Sequence, residues 1–371
     1  MNDTTNINIK NAKDFTKKLW ISENEKVNSL VPLLRGGSGI GKSESVKQLW
    51  RDEEINLGLT PVMSPTPTAK EFGLVQIMGS HYGVQDLYLP TYDKDQDEMV
   101  HKFMSSLPKN PSSKGILFLD EVGSASADVQ KVFQSLILER EIGSYVLPKG
   151  WKIIGATNRK EDNAGVGNLN MAMLNRTAVL DIEFSHESWD LWASENGVHP
   201  LITSYFRFEP QNLWNYDRKN KSEQFCSPRS AVALSEILNA DAIIDELKLA
   251  TYQSTVGSEV AQNILSFEKT LSKAPSMESI IENPQDADFI SSEDTNIRFA
   301  VTGALLQKVR EGDSKKRKEK VFSSAIEYLN RFESKEFTVF FTQHGIKIEK
   351  DLMNTKSFTD FSLANTEIDF V

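Results

Sequence analysis

The sequence predicts an α/β domain built on a parallel sheet, followed by a domain that is almost entirely helical. Between about residues 28 and 185, short apolar runs typical of buried strands alternate with segments whose apolar residues recur at helical spacing. This alternation is the pattern of a parallel sheet covered by helices on both faces. From about residue 186 onward the strand patterns stop and helical spacing dominates. At 371 residues the chain is long enough for two domains.

Composition and charge limit the class of protein. Hydrophobic residues make up 39% of the chain, no apolar run approaches the ~18 residues of a membrane span, and the N-terminus lacks a signal-peptide pattern, so we expect a soluble cytoplasmic protein. A single cysteine, Cys226, excludes a disulfide framework and a cysteine-based zinc site. The net charge of −10 argues against a protein that mainly coats nucleic acid. We interpret the one dense basic run, residues 315–320, as a solvated helix face.

The first elements of the sheet domain enclose a glycine-rich loop. A helix is predicted over residues 9–20, and the apolar run VPLLR at 31–35 predicts the first strand. The segment ESVKQLW after Ser43 has its apolar residues on one helical face, so a helix follows the loop. Strand, loop and helix therefore come in the order that a phosphate-binding loop requires.

The loop fits the pattern G-x-x-x-x-G-K-[ST] with the residues Gly36, Gly37, Ser38, Gly39, Ile40, Gly41, Lys42 and Ser43. Glycines let consecutive backbone N–H groups point at phosphate oxygens, and the N-terminus of the following helix adds positive potential. We expect Lys42 to contact the β- and γ-phosphates of a nucleotide and the Ser43 hydroxyl to ligate Mg²⁺. The alternative is a glycine-rich turn with a surface lysine, and the strand–loop–helix context argues against it.

Two carboxylates end a second buried strand. The run GILFL at 115–119 is followed directly by Asp120 and Glu121. Two neighbouring carboxylates repel each other beside a dry core, so they have little structural reason to be there. In a phosphate-binding protein the first would hold Mg²⁺ and the second would polarise the attacking water. The alternative is that they simply end the strand in solvent.

Asn158 follows a third strand, predicted over residues 152–158. Its amide can orient the attacking water or touch the γ-phosphate if this strand lies beside the strand that ends at Asp120. Taken alone, an asparagine after a strand is usually a turn residue. A further strand is predicted over residues 178–184.

Arg176, in the segment MLNR, and Arg229, in SPRS, are candidates for neutralising the charge that develops on a transferred phosphoryl group. Such a guanidinium can come from the same subunit or from a neighbour. For each arginine the alternative is a surface salt bridge, and spacing alone does not decide.

In this order the segments GGSGIGKS, ILFLDE, GATN, MLNR and SPRS resemble the AAA+ ATPases, and within them the phage and bacterial members of the MoxR-type branch. The resemblance covers roughly residues 28–240. It implies a P-loop core with a five-stranded parallel sheet between helices, followed by an α-helical lid. It also implies an enzyme that hydrolyses ATP with Mg²⁺ as a homo-oligomeric ring, usually a hexamer, with active sites between subunits.

The resemblance assigns a role to each candidate residue. The loop 36–43 corresponds to Walker A, with Ser43 on the metal, Asp120 and Glu121 correspond to Walker B, and Asn158 corresponds to sensor 1. Arg176 corresponds to the arginine finger given to the neighbour's ATP, and Arg229 corresponds to sensor 2 on the lid. Arg159, with Lys160 directly after it, competes with Arg176 for the role at the subunit interface.

The sequence patterns and the resemblance together divide the chain into a helical leader (1–27), an AAA+ nucleotide-binding domain (28–185), a helical lid (186–310) and a helical or irregular extension (311–371). Within the lid, Pro275 and Pro284 are expected to bracket a polar linker before a helix at 296–309. Two insertions are implied as well. One is a hairpin at 142–151, and the other is the segment 70–90, whose Phe72, Tyr82 and Tyr88 would face the pore of the ring.

Three functions fit these features. The favoured one is ATP-driven remodelling of a client protein, as in MoxR-like chaperones, which often act with a partner that has a von Willebrand A domain. The second is a nucleic-acid motor or restriction-type DNA translocase of the related clade, which needs basic residues that the insertions largely lack. The third is a non-catalytic scaffold, which the presence of Lys42, Asp120, Glu121 and Asn158 disfavours.

Overall fold

The computed structural model of the protein describes residues 7–95, 97–159, 169, 171–215 and 225–368. The chain divides into two compact units, Met1–Ser185 and His186–Val371. A parallel sheet between helices forms the first unit, and helices form the second. The fold class predicted from the sequence is confirmed.

The described residues of the first unit form the strands β1 (Val31–Gly36), β2 (Thr60–Val62), β3 (Glu71–Met78), β4 (Tyr88–Asp93), β5 (Glu98–Phe103), β6 (Lys114–Asp120), β7 (Glu141–Ile142), β8 (Tyr145–Val146), β9 (Gly150–Thr157) and β10 (Thr177–Ile182). Its helices are α1 (Ile9–Trp20), α2 (Glu25–Asn28), α3 (Lys42–Arg51), α4 (Glu53–Asn56), α5 (Val84–Leu87), α6 (Ala127–Glu139) and α7 (Met171–Leu174).

The main sheet has six parallel strands in the order β10, β1, β9, β6, β3, β2. It therefore has one strand more than the five that the resemblance implies. The extra strand, β2, is three residues long, lies at the sheet edge and contains Pro61. Proline lacks a backbone N–H and is tolerated in strands mainly at such edges. Because β9 pairs with both β1 and β6, the carboxyl ends of these three strands adjoin.

Trp151 organises the interior of the sheet. It lies at the start of β9 and is completely buried. A Cβ placed on Gly73 of β3 or Gly115 of β6 would come within 2.6 or 2.8 Å of the indole ring. The indole nitrogen donates a hydrogen bond to Ser113 Oγ at 2.9 Å. The two glycines thus leave the space that the indole fills.

The structure corrects the prediction for the segment 70–90. Residues Glu71–Met78 form β3, an interior strand of the sheet, and Phe72 is only 2% exposed. Phe72 therefore cannot face a pore. The resemblance implied an insertion here, whereas the segment supplies a strand in which Gly73 makes room for Trp151. Tyr82 and Tyr88 pack partly buried against the core of the unit.

The projecting element of this region is instead the antiparallel hairpin formed by β4 and β5. Near its end, Tyr92 and Met99 face each other and are 52% and 62% exposed. At its base, the ring of Phe103 lies 5.7 Å from that of Tyr145. Tyr145 belongs to the smaller hairpin β7–β8, which occupies the place where a hairpin was expected and ends at Val146.

The helices of the second unit are α8 (His186–Glu195), α9 (Pro200–Phe208), α10 (Pro228–Asn239), α11 (Lys248–Val256), α12 (Ser258–Thr270), α13 (Met277–Glu282), α14 (Thr295–Glu311), α15 (Lys315–Leu329), α16 (Glu336–Ile348) and α17 (Lys356–Leu363). The polar linker expected between Pro275 and Pro284 contains α13, which buries Ile280 and Ile281. None of the helices in the described part of the chain is long and apolar enough to cross a membrane.

The basic run 315–320 begins α15, and its cations pair with carboxylates of the same unit. The ion pairs are Lys315–Asp351, Arg317–Glu282, Lys318–Glu349 and Lys320–Glu282. Exposed pairs of this kind add little stability, but they offset much of the local positive charge. The run therefore fits the interpretation as a helix face better than a phosphate-binding patch.

Gly303 sets how closely α14 approaches α9. A Cβ at this position would lie 2.1 Å from Ser204 Oγ and 2.8 Å from Ser204 Cβ. We expect Gly303→Ala to lower the free energy of unfolding by about 1–3 kcal/mol, because overpacking outweighs the roughly 1 kcal/mol gained in helix propensity. Urea titration followed by circular dichroism measures the change.

The control for this prediction is the double variant Ser204→Gly with Gly303→Ala. Removing the Ser204 side chain reopens the space, so the two substitutions together should destabilise less than the sum of the single changes. An alanine at position 303 that raises the free energy of unfolding would contradict the packing argument.

Candidate functional site

The glycine-rich loop connects β1 to α3 at the carboxyl edge of the sheet. Gly36 ends β1, and Lys42 and Ser43 are the first two residues of α3. Gly39 and Gly41 have φ angles of 77° and 100°, which favour glycine over other residues. The loop therefore turns sharply enough to bring the chain to the N-terminus of α3. Gly37 and Ser38 lie in the turn, and Ile40 is buried.

The ammonium group of Lys42 lies at the end of β1. Its Nζ donates hydrogen bonds to the carbonyl oxygens of Gly36 at 2.9 Å and Gly37 at 2.7 Å, and to Asn158 Oδ1 at 2.8 Å. Lys42 is only 8% exposed. Asn158 follows β9 directly, so its contact with Lys42 depends on β9 lying next to β1, as the sequence argument required.

Asp120 is the last residue of β6, which pairs with β9 on the side of β9 opposite β1. Its Oδ2 accepts hydrogen bonds from Ser43 Oγ and from Gln76 Nε2, both at 2.9 Å, and its Oδ1 accepts one from the backbone N–H of Glu121 at 2.9 Å. Asp120 is 7% exposed. The loop after β1 and the end of β6 thus meet through a direct hydrogen bond.

Glu121 is the first residue beyond β6 and has φ 53° and ψ 38°. This left-handed conformation is uncommon for a residue with a side chain. The Glu121 carboxylate accepts a hydrogen bond from the Ser80 hydroxyl, and Ser80 lies two residues beyond β3. Glu121 therefore lies half-buried beside Asp120, and its carboxylate contacts the loop that follows β3.

Gln76 and Ser80 were not predicted as site residues. Both come from β3 or its end, and each donates to one of the two carboxylates. Gln76 did have a sequence signal, because it is a lone amide inside the apolar run LVQIM. Ser80 had none, since a serine after a strand is an ordinary turn residue.

Ser43 and Asp120 together suit Mg²⁺. A hydroxyl and a carboxylate are the hard oxygen ligands that Mg²⁺ prefers. Asp120 is buried, yet none of the ion pairs among the described residues involves it. A buried carboxylate without a basic partner is costly, and a bound divalent cation would supply the missing positive charge.

Arg176 lies away from this cluster. It precedes β10 and is exposed, at the amino end of a strand whose other end adjoins the loop. The register runs from Val31 opposite Thr177 to Gly36 opposite Ile182. Five residues of strand span about 17 Å, which exceeds the reach of an arginine side chain. Arg176 therefore cannot contact a phosphate bound at the loop of its own chain.

The other two arginines differ in position. Arg159 follows Asn158 at the carboxyl edge of the sheet, on the same edge as the loop, and its neighbour Lys160 lies outside the described residues. Arg229 belongs to the second unit, where it is the second residue of α10 and is exposed. The first unit thus brings together Lys42, Ser43, Asp120, Glu121 and Asn158, and it does not bring Arg176 to them.

The chain matches no protein-family model and no curated protein sequence. Among solved structures it is similar to a RuvB variant from Thermotoga maritima, with 12% identity over 74% of this chain and 77% of that one, at a TM-score of 0.38. It is also similar to a DNA polymerase III gamma subunit-related protein from Thermotoga maritima (12% identity, 98% and 93% coverage, TM-score 0.33) and to PCH-2 from Caenorhabditis elegans (14% identity, 72% and 63% coverage, TM-score 0.30). Similarity at this level does not assign an activity.

Proposed function

We propose that this chain is an AAA+ ATPase that couples Mg²⁺-dependent ATP hydrolysis to the remodelling of a client protein. One observation carries the proposal. At a single sheet edge, Lys42 is hydrogen-bonded to Asn158 and Ser43 to Asp120, with Glu121 adjoining them. A lysine for phosphates, an oxygen pair for a metal and a carboxylate for water are the parts that phosphoryl transfer needs.

Each residue then has a defined task. Lys42 and the backbone N–H groups of the loop bind the phosphates of ATP. Ser43 and Asp120 would hold Mg²⁺, which would supply positive charge to the phosphate oxygens. Glu121 orients the attacking water and takes its proton. The Ser80 hydroxyl donates a hydrogen bond to the Glu121 carboxylate and so holds it in place beside Asp120.

The position of Arg176 supports a ring. Arg176 lies at the amino end of β10, and its guanidinium cannot reach the glycine-rich loop of its own chain at the other end of the sheet. An exposed arginine at the opposite end of the sheet is suited to a neighbour's nucleotide in a head-to-tail assembly, which closes into a ring when the rotation permits. We propose a homo-oligomer, in the family's usual form a hexamer, with Arg176 rather than Arg159 as the residue acting between subunits.

The charge of the β4–β5 hairpin favours a protein client over nucleic acid. Residues 93–98, which include the last residue of β4 and the first of β5, have the sequence DKDQDE, with four carboxylates and one lysine. Such a segment repels a phosphate backbone, whereas a nucleic-acid track needs concentrated positive charge. The exposed Tyr92 and Met99 beside it provide apolar contact area of the kind that protein interfaces use.

The finer assignments go with this proposal. The nucleotide-binding domain would extend over residues 28–185 after the leader 1–27, with Arg229 acting as sensor 2 in a lid over 186–310 and an extension over 311–371. We propose that the protein acts in the cytoplasm as a MoxR-like chaperone, together with a partner that has a von Willebrand A domain.

ATP hydrolysis by the purified protein tests the proposal. We expect Mg²⁺-dependent turnover in the wild type and background rates in Lys42→Ala, with Lys47→Ala, five residues along the same helix, as the matched control. A wild-type rate no higher than that of Lys42→Ala would refute the ATPase. Double- or single-stranded DNA is expected to change the rate by less than about twofold, because the acidic hairpin repels phosphate. Strong stimulation by DNA would instead favour the nucleic-acid motor.

A further inference from the structure

We propose that Gln76 is a positioning residue that holds Asp120 in the orientation needed to bind Mg²⁺ together with Ser43. The inference rests on the proposed function, since it concerns the metal of the same site. Through Gln76, β3 would contribute to metal binding as well as to the sheet. The amide of Gln76 reaches Asp120 Oδ2 at 2.9 Å.

The strand register explains why Gln76 reaches this carboxylate. In the β3–β6 pair, Gln76 lies opposite Phe118 and Met78 lies opposite Asp120. Residues two apart on a strand share a face, so Gln76 and Asp120 project to the same side of the sheet as diagonal neighbours. A long, unbranched amide spans that diagonal.

The hydrogen bonds leave Asp120 little rotational freedom. Ser43 and Gln76 donate to Oδ2 from two different elements, and the backbone N–H of Glu121 donates to Oδ1. Without Gln76, Oδ2 would be held by the Ser43 hydroxyl alone. A metal ligand whose orientation is fixed in advance binds more tightly, because less conformational entropy is lost on binding.

The chemical type of the residue also fits this task. A lysine or arginine at position 76 would hold the carboxylate as well, but its positive charge would compete with Mg²⁺ for Asp120. A neutral amide donates a hydrogen bond without that competition. Packing alone would not require an amide here, because Leu74 and Met78, which share the face of the strand with Gln76, are both apolar.

The test is equilibrium binding of Mn²⁺, used as a spectroscopic substitute for Mg²⁺, in the presence of a saturating non-hydrolysable ATP analogue. Free Mn²⁺ is measured by electron paramagnetic resonance for wild type and Gln76→Met, which keeps a long unbranched side chain but removes the donor. We expect about tenfold weaker Mn²⁺ binding in Gln76→Met, the usual effect of losing an outer-shell partner. Affinity for the analogue in EDTA should stay within about twofold, since the Gln76 amide bonds Asp120 and no residue of the glycine-rich loop.

Control variants separate a positioning role from a structural one. Gln130→Met removes another buried amide, which donates to the carbonyl of Ala125 and to neither carboxylate of the site, and should leave Mn²⁺ binding unchanged. If Gln76→Met does not fold, Gln76→Asn provides the measurement, because its shorter amide cannot reach Asp120. Unchanged Mn²⁺ affinity in the folded variant would overturn the inference. Failure of the wild type to bind nucleotide would overturn the proposed function instead.

Discussion

Replacing Glu121 by glutamine should lower the rate of ATP hydrolysis by about 10²–10³-fold, the usual size of a lost general base. ATP binding should be nearly unchanged, because Lys42 and the loop that hold the phosphates remain intact. Glutamine has almost the same shape as glutamate and can still accept a hydrogen bond from Ser80. The measurements are steady-state phosphate release and binding of a fluorescent ATP analogue. Glu139→Gln, at the exposed end of α6, makes the same chemical change away from the site.

Equal hydrolysis rates in wild type and Glu121→Gln would contradict the assignment of Glu121 as the base. If the prediction holds, the variant accumulates in the ATP-bound form and can be used to capture what the proposed ring acts on. Proteins recovered with Glu121→Gln and ATP, but absent with Lys42→Ala, would identify the client. Recovery of DNA instead of protein would reverse the preference for a remodelling function.

Arg176→Ala should abolish hydrolysis almost completely, by about 10³-fold, because an arginine supplied in trans typically contributes 10³–10⁵ to phosphoryl transfer. The distinguishing result is complementation. Lys42→Ala and Arg176→Ala are each expected to be inactive alone. In a mixture, an Arg176→Ala subunit keeps its loop and can receive the arginine of a neighbouring Lys42→Ala subunit.

Random mixing in equal amounts puts this productive pair at about a quarter of the interfaces of a head-to-tail ring. We therefore expect the mixture to recover up to about a quarter of the wild-type rate. If Arg176 acted on the nucleotide of its own chain, each subunit would lack one of the two groups and no activity would return. Arg159→Ala mixed with Lys42→Ala serves as the comparison, because Arg159 lies on the same edge as the loop. If activity returns with the Arg159→Ala mixture but not with the Arg176→Ala mixture, the arginine that acts between subunits is Arg159.

The candidate site was largely predictable because its residues follow strands. A parallel sheet places the carboxyl ends of its strands along one edge, so Lys42, Asp120 and Asn158 could be expected near one another once their strands were identified. The sequence did not say which strands are neighbours. The structure shows that β9 lies between β1 and β6. The ends of the three strands therefore adjoin, and hydrogen bonds join Lys42 to Asn158 and Ser43 to Asp120.

The errors have different causes. Phe72 was expected in an exposed insertion because the resemblance places one there, yet Phe72 belongs to the interior strand β3, in which Gly73 leaves the space that is filled by Trp151, 78 residues further along the chain. The three-residue strand β2 carries too short a pattern to be recognised. The hairpin β4–β5, which follows β3, was not predicted.

The sequence by itself determined the alternation of strands and helices, the glycine-rich loop and the carboxylates of the candidate site, because each of these depends on neighbouring residues. Only the tertiary structure decided that Gln76 and Ser80 hold those carboxylates and that Arg176 lies a strand's length from the loop. These facts depend on register between strands far apart in the chain. The register between two strands depends on how their side chains pack across the sheet, which a short stretch of sequence does not show.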